Sequence, residues 1–118
     1  MAGGSGVAGR IARGDVRLYP FSSPDKTRAV VVLTRESAIE YLSKVTVAPI
    51  TSTVRGTASE VVLNGDDGMK TICAVNLHNT STVPRERLGK RVGRLSPARM
   101  SEICSALAFA LGCDPNHL

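Results

Sequence analysis

The chain has no tryptophan, and aromatic residues make up only 3% of its 118 positions. Tyr19, Phe21, Tyr41 and Phe109 are the whole aromatic supply. Base-stacking modules need several exposed rings on one surface. The scarcity excludes a large stacking platform, so any nucleic-acid contact must rest on charge and polar groups. There are two histidines, and three cysteines with no Cys-x-x-Cys pair, so neither a metal site nor a cofactor is expected. Cys73, Cys104 and Cys113 read as small, buried, reduced residues, which fits a cytoplasmic location. No apolar run reaches membrane-spanning length, and the N-terminus lacks the apolar stretch of a signal peptide, so no membrane partner is expected.

What is present is basic charge. Fifteen Lys and Arg against ten Asp and Glu give a net charge of +5 and a pI near 9.6. Such a balance suits an anionic partner, a nucleic acid or an acidic protein, and it also suits mere solubility. The length predicts one domain with one modest core.

Residues 1–12 are rich in Gly and Ala and read as a flexible N-terminal arm, with the domain over 13–118. Arg10 and Arg13 could trail along an anionic backbone or belong to a disordered tail. Val16, Leu18 and Pro20 alternate with Arg17 and Tyr19, which predicts a half-buried first strand. Asp15 is expected to support the turn before it. Pro24-Asp25 supplies turn chemistry. The unbroken run Ala29–Leu33 predicts a strand buried on both faces. Thr34 or Ser37 could cap a short helix running into residues 38–43. Strands are expected at 45–53 and 59–63, with Asn64-Gly65 and Asp67-Gly68 as turn punctuation. Residues 69–83 read as one long strand whose alternation puts Asn76, His78 and Thr80 on a common face. Residues 85–99 carry six basic side chains and one acid, with a short strand at 90–95. Ser96 as N-cap, Pro97 at the first helical position and Gly112 as stop delimit a C-terminal helix. Its apolar stripe is Met100, Ile103, Cys104, Leu107 and Leu111. Strands first and one helix last predict a mainly β fold with α, a small, strongly bent barrel or sandwich capped by the helix.

The most informative stretch is Val45–Gly56. It begins as an apolar strand and then presents three hydroxyls in a row, Thr51, Ser52 and Thr53, close to Arg55. Hydroxyls beside a guanidinium hold phosphate oxygens well. A strand leaving the core for a polar turn would show the same pattern.

Taken in order, Arg13-Gly-Asp-Val16, Arg28–Leu33, Val47-Ala-Pro-Ile-Thr-Ser-Thr-Val-Arg-Gly56, Thr80–Val83 and Arg91-Val-Gly-Arg-Leu-Ser96 resemble the MazF/PemK/Kid family. These are toxins of type II toxin–antitoxin systems, and the likeness covers roughly residues 13–113. The resemblance implies an SH3-like, strongly twisted β-barrel with a C-terminal α-helix, assembled as a homodimer. It implies a metal-independent, sequence-selective endoribonuclease that cuts single-stranded RNA by 2′-hydroxyl attack, leaving a 2′,3′-cyclic phosphate and a 5′-hydroxyl. A cognate antitoxin would lay an acidic segment in the RNA groove. Arg28 falls on the family's catalytic arginine and Thr51 on its catalytic threonine. Ser52, Thr53, Lys26, Asn76 and Thr80 are the expected RNA-binding residues. The family usually has Arg-Pro where this chain has Arg28-Ala29. Some members place an acid where this chain has Asn76-Leu-His78, and His78 is the candidate to take that acid–base position. Two other readings keep the fold: a CcdB-like toxin that binds a protein target such as gyrase, and a non-catalytic SH3-like module binding RNA or protein.

Overall fold

The apolar runs bounded by turn signals become seven strands in the computed structural model, which describes residues 10–21 and 26–113. They are β1 (Asp15–Pro20), β2 (Thr27–Val32), β3 (Lys44–Thr51), β4 (Glu60–Leu63), β5 (Cys73–Asn76), β6 (Ser81–Pro84) and β7 (Arg91–Arg94). A short helix α1 (Glu36–Ile39) joins β2 to β3, and α2 (Pro97–Leu111) follows β7. The strands form one curled antiparallel sheet in the order β4-β5-β3-β2-β1-β7, with β6 on β3. The expected mainly β, half-barrel architecture with one C-terminal helix is what is found.

β3 is paired along both edges. One edge meets β2 from Val30↔Pro49 to Val32↔Val47. The other edge meets β5 at Ile50↔Val75 and Thr51↔Ala74, then β6 from Val47↔Ser81 to Lys44↔Pro84. From Val75 to Ser81 the chain advances six residues, while its partner steps back only three, from Ile50 to Val47. The excess is absorbed by a 3₁₀ turn, Leu77–Asn79, capped by the Asn76 side chain. This corrects the single long strand expected over 69–83. A regular strand cannot hold extra residues without looping them out.

The two faces of the sheet carry separate cores. On one, Val16, Val31, Ala48, Leu63 and Val75 pack against Met100, Ile103 and Ala106 of α2. On the other, Tyr19, Val30, Val32, Val45, Val47, Val83 and Leu88 pack together. Val30, Val31 and Val32 have no exposed surface, as their unbroken apolar run predicts. Burying each such side chain is worth roughly 1.5–3 kcal/mol. Because both faces are covered, β1 is not half-buried: Arg17 and Tyr19 are only 2% and 5% exposed. Ile11, expected in the arm, is buried within the second core. Residues 1–9, the Pro24-Asp25 turn and His117 lie outside the described residues.

α2 keeps its expected limits. The Ser96 hydroxyl accepts the Arg99 N–H, Pro97 opens the helix, and Gly112 closes it at φ 73°, where a side chain would be strained. Its buried stripe is Met100, Ile103 and Ala106, so Cys104 and Leu111 face outward. Cys73 is buried as expected, whereas Cys104 and Cys113 are exposed. Burial, reinforced by the Asp67 charge, pushes the Cys73 thiol pKa up. α1 starts from Arg35 without a side-chain cap; the Thr34 hydroxyl instead accepts the Thr46 N–H of β3. No described helix is long and apolar enough to cross a membrane.

One ionic network sits inside this frame. Asp15, with no exposed surface, accepts from Arg17 at 3.1 Å, from Arg94 at 3.0 Å and from the Ala12 N–H at 3.0 Å. It thereby does support the first turn. Arg17 also donates to the carbonyls of Gly89 and Arg10. Replacing Asp15 with Ala leaves a buried guanidinium uncompensated, and chemical denaturation should show a loss of about 3–5 kcal/mol. A second pair, Asp67–Arg99 at 3.0 Å, ties the turn after β4 to α2. Burial opposes ionisation of Asp67, but the Arg99 guanidinium and the Asn64 N–H outweigh it and hold the carboxyl below its ordinary 3.8. As pH falls, the unfolded chain therefore takes up this proton first. The stabilisation is complete above 3.8 and lost as pH drops through the lower folded-state value. Asp67→Asn should cost about 1 kcal/mol near neutrality, and its gap from wild type should close in denaturation curves taken at progressively lower pH.

Candidate functional site

Sheet register gathers the polar residues. Arg28 of β2 lies opposite Tyr19 of β1. Continuing the β2–β3 ladder past Val30↔Pro49 brings Arg28 opposite Thr51 at the end of β3. Thr51 pairs with Ala74 of β5, and Asn76, two residues on, shares its face. This is the face that carries Val30 and Val47 further along. The apolar core ends at Pro49, and a cleft of about 510 Å³ opens beyond it. Arg28, Thr51, Thr53 and Asn76 line it together with Arg55, Asn79 and Ser81. Pro49, Ile50 and Phe21 supply its apolar part.

Each polar group is held by its own neighbourhood. The Thr51 hydroxyl accepts the Thr53 N–H at 3.1 Å, so its proton remains to be donated. The Asn76 side-chain oxygen accepts the His78 N–H at 2.9 Å, which leaves its NH₂ for the cleft. Glu60 Oε1 accepts the N–H groups of both Arg55 and Gly56 at 2.9 Å, fixing the loop that carries Arg55. Gly56, at φ 74°, makes that turn possible without strain. Phe21 is braced edge-on by Tyr19 at 4.9 Å, and Arg87 covers the Tyr19 ring at 5.6 Å. The lining thus offers two guanidiniums, three hydroxyls and two amides, with no carboxylate. Such a set can hold a tetrahedral anion by several donors at once.

Of the residues singled out from sequence, Arg28, Thr51, Thr53 and Asn76 share this cleft. Lys26, Ser52, His78 and Thr80 are not in its lining. Ser52 falls between Thr51 and Thr53, which both line the cleft. His78 is exposed on the 3₁₀ turn, so the alternation that grouped it with Asn76 and Thr80 does not hold. The same turn brings Asn79 and Ser81 into the cleft instead. Those two had no signal in the sequence, because the looped-out residues are invisible to a period of two. Phe21 was passed over because an isolated ring gives no pattern. Arg55 stood out beside the hydroxyls but was given no role.

A family model described as the PemK-like, MazF-like toxin of type II toxin–antitoxin systems matches residues 12–111. The chain belongs to this MazF-type endoribonuclease toxin family. A probable endoribonuclease MazF5 of Mycobacterium tuberculosis is 48% identical over 88 residues, covering 74% of this chain and 81% of that protein. The endoribonuclease MazF3 of the same organism is 40% identical, covering 76% and 87%. Among solved structures, the M. tuberculosis toxin MazF-mt6 superposes with a TM-score of 0.77 at 36% identity, covering 85% of this chain and 98% of that one. An endoribonuclease solved in complex with its cognate antitoxin from a mycobacterial species gives 0.80 at 25% identity, covering 89% and 98%.

Glu60 holds the loop that carries Arg55. A hydrogen bond to a carboxylate contributes roughly 1.5–3 kcal/mol. In Glu60→Ala, hydrogen exchange at the Arg55 and Gly56 amides should therefore accelerate about tenfold or more, while amides of β2 and β3 keep their protection.

Proposed function

We propose that this chain is the toxin of a type II toxin–antitoxin pair and cleaves single-stranded RNA at the Arg28–Thr51 cleft without a metal. The observation that carries the reading is the convergence of Arg28, Thr51 and Asn76, from three neighbouring strands, on one donor-lined cleft. The 2′-oxygen attacks the adjacent phosphorus, the bond to the 5′-oxygen breaks, and a 2′,3′-cyclic phosphate and a 5′-hydroxyl result. The 2′-proton passes to solvent, and the departing 5′-oxygen takes one from solvent. Charge builds on the non-bridging oxygens as five bonds form at phosphorus. Arg28, with its planar fork, and the Thr51 hydroxyl would stabilise that charge. Arg55 and the Asn76 NH₂ would hold the strand in line for attack. Thr53 serves as the backbone donor that orients Thr51, and Asn79 and Ser81 extend the contact surface. Ser52, Lys26 and Thr80 flank the cleft rather than line it, and His78 stands outside the reacting group.

The partners follow from the same surface. An acidic antitoxin segment would compete with RNA for the guanidiniums, as the antitoxin-bound relative suggests. A homodimer would cover apolar residues that are bare in one chain, among which Ile72 and Leu111 are 63% and 65% exposed. A protein-binding toxin of the gyrase-poisoning kind would not need Arg28 and Thr51 as a pair, so that reading has no observation in its favour.

The test is cleavage of mixed-sequence single-stranded RNA in EDTA, with the ends of the products identified. Wild type should give cyclic-phosphate ends. Arg28→Ala should lower kcat by about 10²–10³. His78→Ala should stay within twofold of wild type with an unaltered pH profile. Intact RNA with wild type would refute the nuclease reading, and a collapse of rate in His78→Ala would return the imidazole to the reaction.

A further inference from the structure

The basic stretch after β6 is not absorbed by the cleft. Its last part, β7, pairs with β1 through Asp15↔Arg94, Val16↔Gly93 and Arg17↔Arg91, so Val92 is an extra residue bulged out of the ladder. Arg91 and Arg94 are three apart, and on an unbroken strand they would face opposite ways. The bulge turns both to the face of Asp15 and Arg17. There, with Arg10 and Arg17, they line a cavity of about 600 Å³ whose only other lining residues are Ala12 and Glu36.

The guanidiniums differ in how they are held. Arg17 is the fixed base, tied to Asp15, Gly89 and Arg10. Arg94 is anchored to Asp15 through Nε and is half exposed, so its two outer nitrogens remain for a ligand. Arg10 and Arg91 have no side-chain partner among the described residues. Glu36, the one acid in the lining, already accepts the Arg13 N–H at 2.8 Å. With Asp15 matched to Arg17 and Arg94, the guanidiniums of Arg10 and Arg91 and the outer nitrogens of Arg94 therefore face one acid that is partly spent.

We propose that this cavity at the β1–β7 edge is a second binding site, taking backbone phosphates of the RNA strand that extends from the cleft. The inference rests on the nuclease reading of the cleft. Both sites lie on one face, because Arg17 is opposite Val30 and Val30 is opposite Pro49. Arg91 and Thr51 are three strand spacings apart, about 14 Å across the sheet, and are offset by two residues along it. Between them, exposed Arg87 covers the Tyr19 ring, which in turn braces Phe21 at the border of the cleft. Guanidinium forks match phosphate oxygens. Only Ala12 is apolar, so the cavity lacks the anchor pocket that a bound peptide segment would use.

The experiment uses two cleavage-resistant 2′-O-methyl oligonucleotides, a mixed-sequence 20-mer and a trinucleotide that occupies the cleft and stops short of the cavity. Affinity is read by fluorescence anisotropy across a salt series, for wild type and for Arg10→Gln/Arg91→Gln. The 20-mer should bind the variant about tenfold more weakly at low salt, and its log–log salt slope should flatten by about 1.4, since each phosphate contact on a single strand contributes about 0.7. Trinucleotide affinity should hold within twofold. Arg91→Lys, which keeps charge but not the fork, should retain the slope while losing a few-fold in affinity, and it decides the matter if the double variant fails to fold. Unchanged 20-mer binding overturns the proposal, as does equal loss for both lengths. Loss of binding to a glutamate-rich peptide with the 20-mer unaffected also overturns it, marking a protein-docking site. Cleavage of unmodified RNA by wild type is scored separately. No cleavage, with 20-mer binding still dependent on Arg10 and Arg91, would refute the nuclease reading and leave the phosphate site standing.

Discussion

β3 is the constraint on which the rest of the molecule depends. It is the strand shared by both halves of the curled sheet, since β2 takes one edge and β5 and β6 divide the other. Its middle must be apolar on both faces, because Val47 enters one core and Ala48 the other. Its last residue has left both cores, so Thr51 can be polar at no cost in burial. The division of the second edge forces three residues out of the ladder, and that 3₁₀ turn furnishes part of the cleft wall. Sheet closure and site construction are thus one event.

The buried Asp15 network is the counterpart at the other end of β1. A carboxylate with no exposure would be costly alone, but here it has a guanidinium on each oxygen and a backbone N–H as well. It binds the segment before β1 to β7, and it sets Arg17 beneath the cavity that Arg91 and Arg94 line. The bulge at Val92 and the ion pairs act together: the bulge aims the side chains and Asp15 holds two of the four.

Sequence legibility follows the range of the interactions involved. α2 was readable to its limits, because Ser96, Pro97 and Gly112 act within a few residues of themselves. The run from Ala29 to Leu33 announced burial on both faces, because no polar residue interrupts it. Arg17 and Tyr19 mislead, since whether an alternating strand is covered on its second face depends on Leu88, far along the chain, and on Ile11, which reads as part of the arm. Asn79 and Ser81 were unreadable for a related reason: only a comparison of the β5 and β6 ladders on β3 shows that residues are looped out between them. The same break removed His78 from the face where alternation had put it. Arg28 and Thr51 are legible through motif resemblance and Asn76 through the alternation of its strand, and the register explains why those positions meet.

The cleft also has a sign that no single residue confers. Thr51, Asn76 and Glu60 each spend an acceptor on a nearby backbone N–H. Those acceptors are turned to the backbone, while the hydroxyl proton, the amide NH₂ and the guanidiniums of Arg28 and Arg55 are left over. A surface of unspent donors favours acceptor-rich anions and disfavours cations or donor groups. The Thr51 hydroxyl and the Asn76 amide are also already oriented by these bonds before a ligand arrives. An imidazole is not needed to create that preference. It arises from backbone geometry at the ends of β3 and β5, where ladder hydrogen bonds stop and side chains take up the unpaired N–H groups.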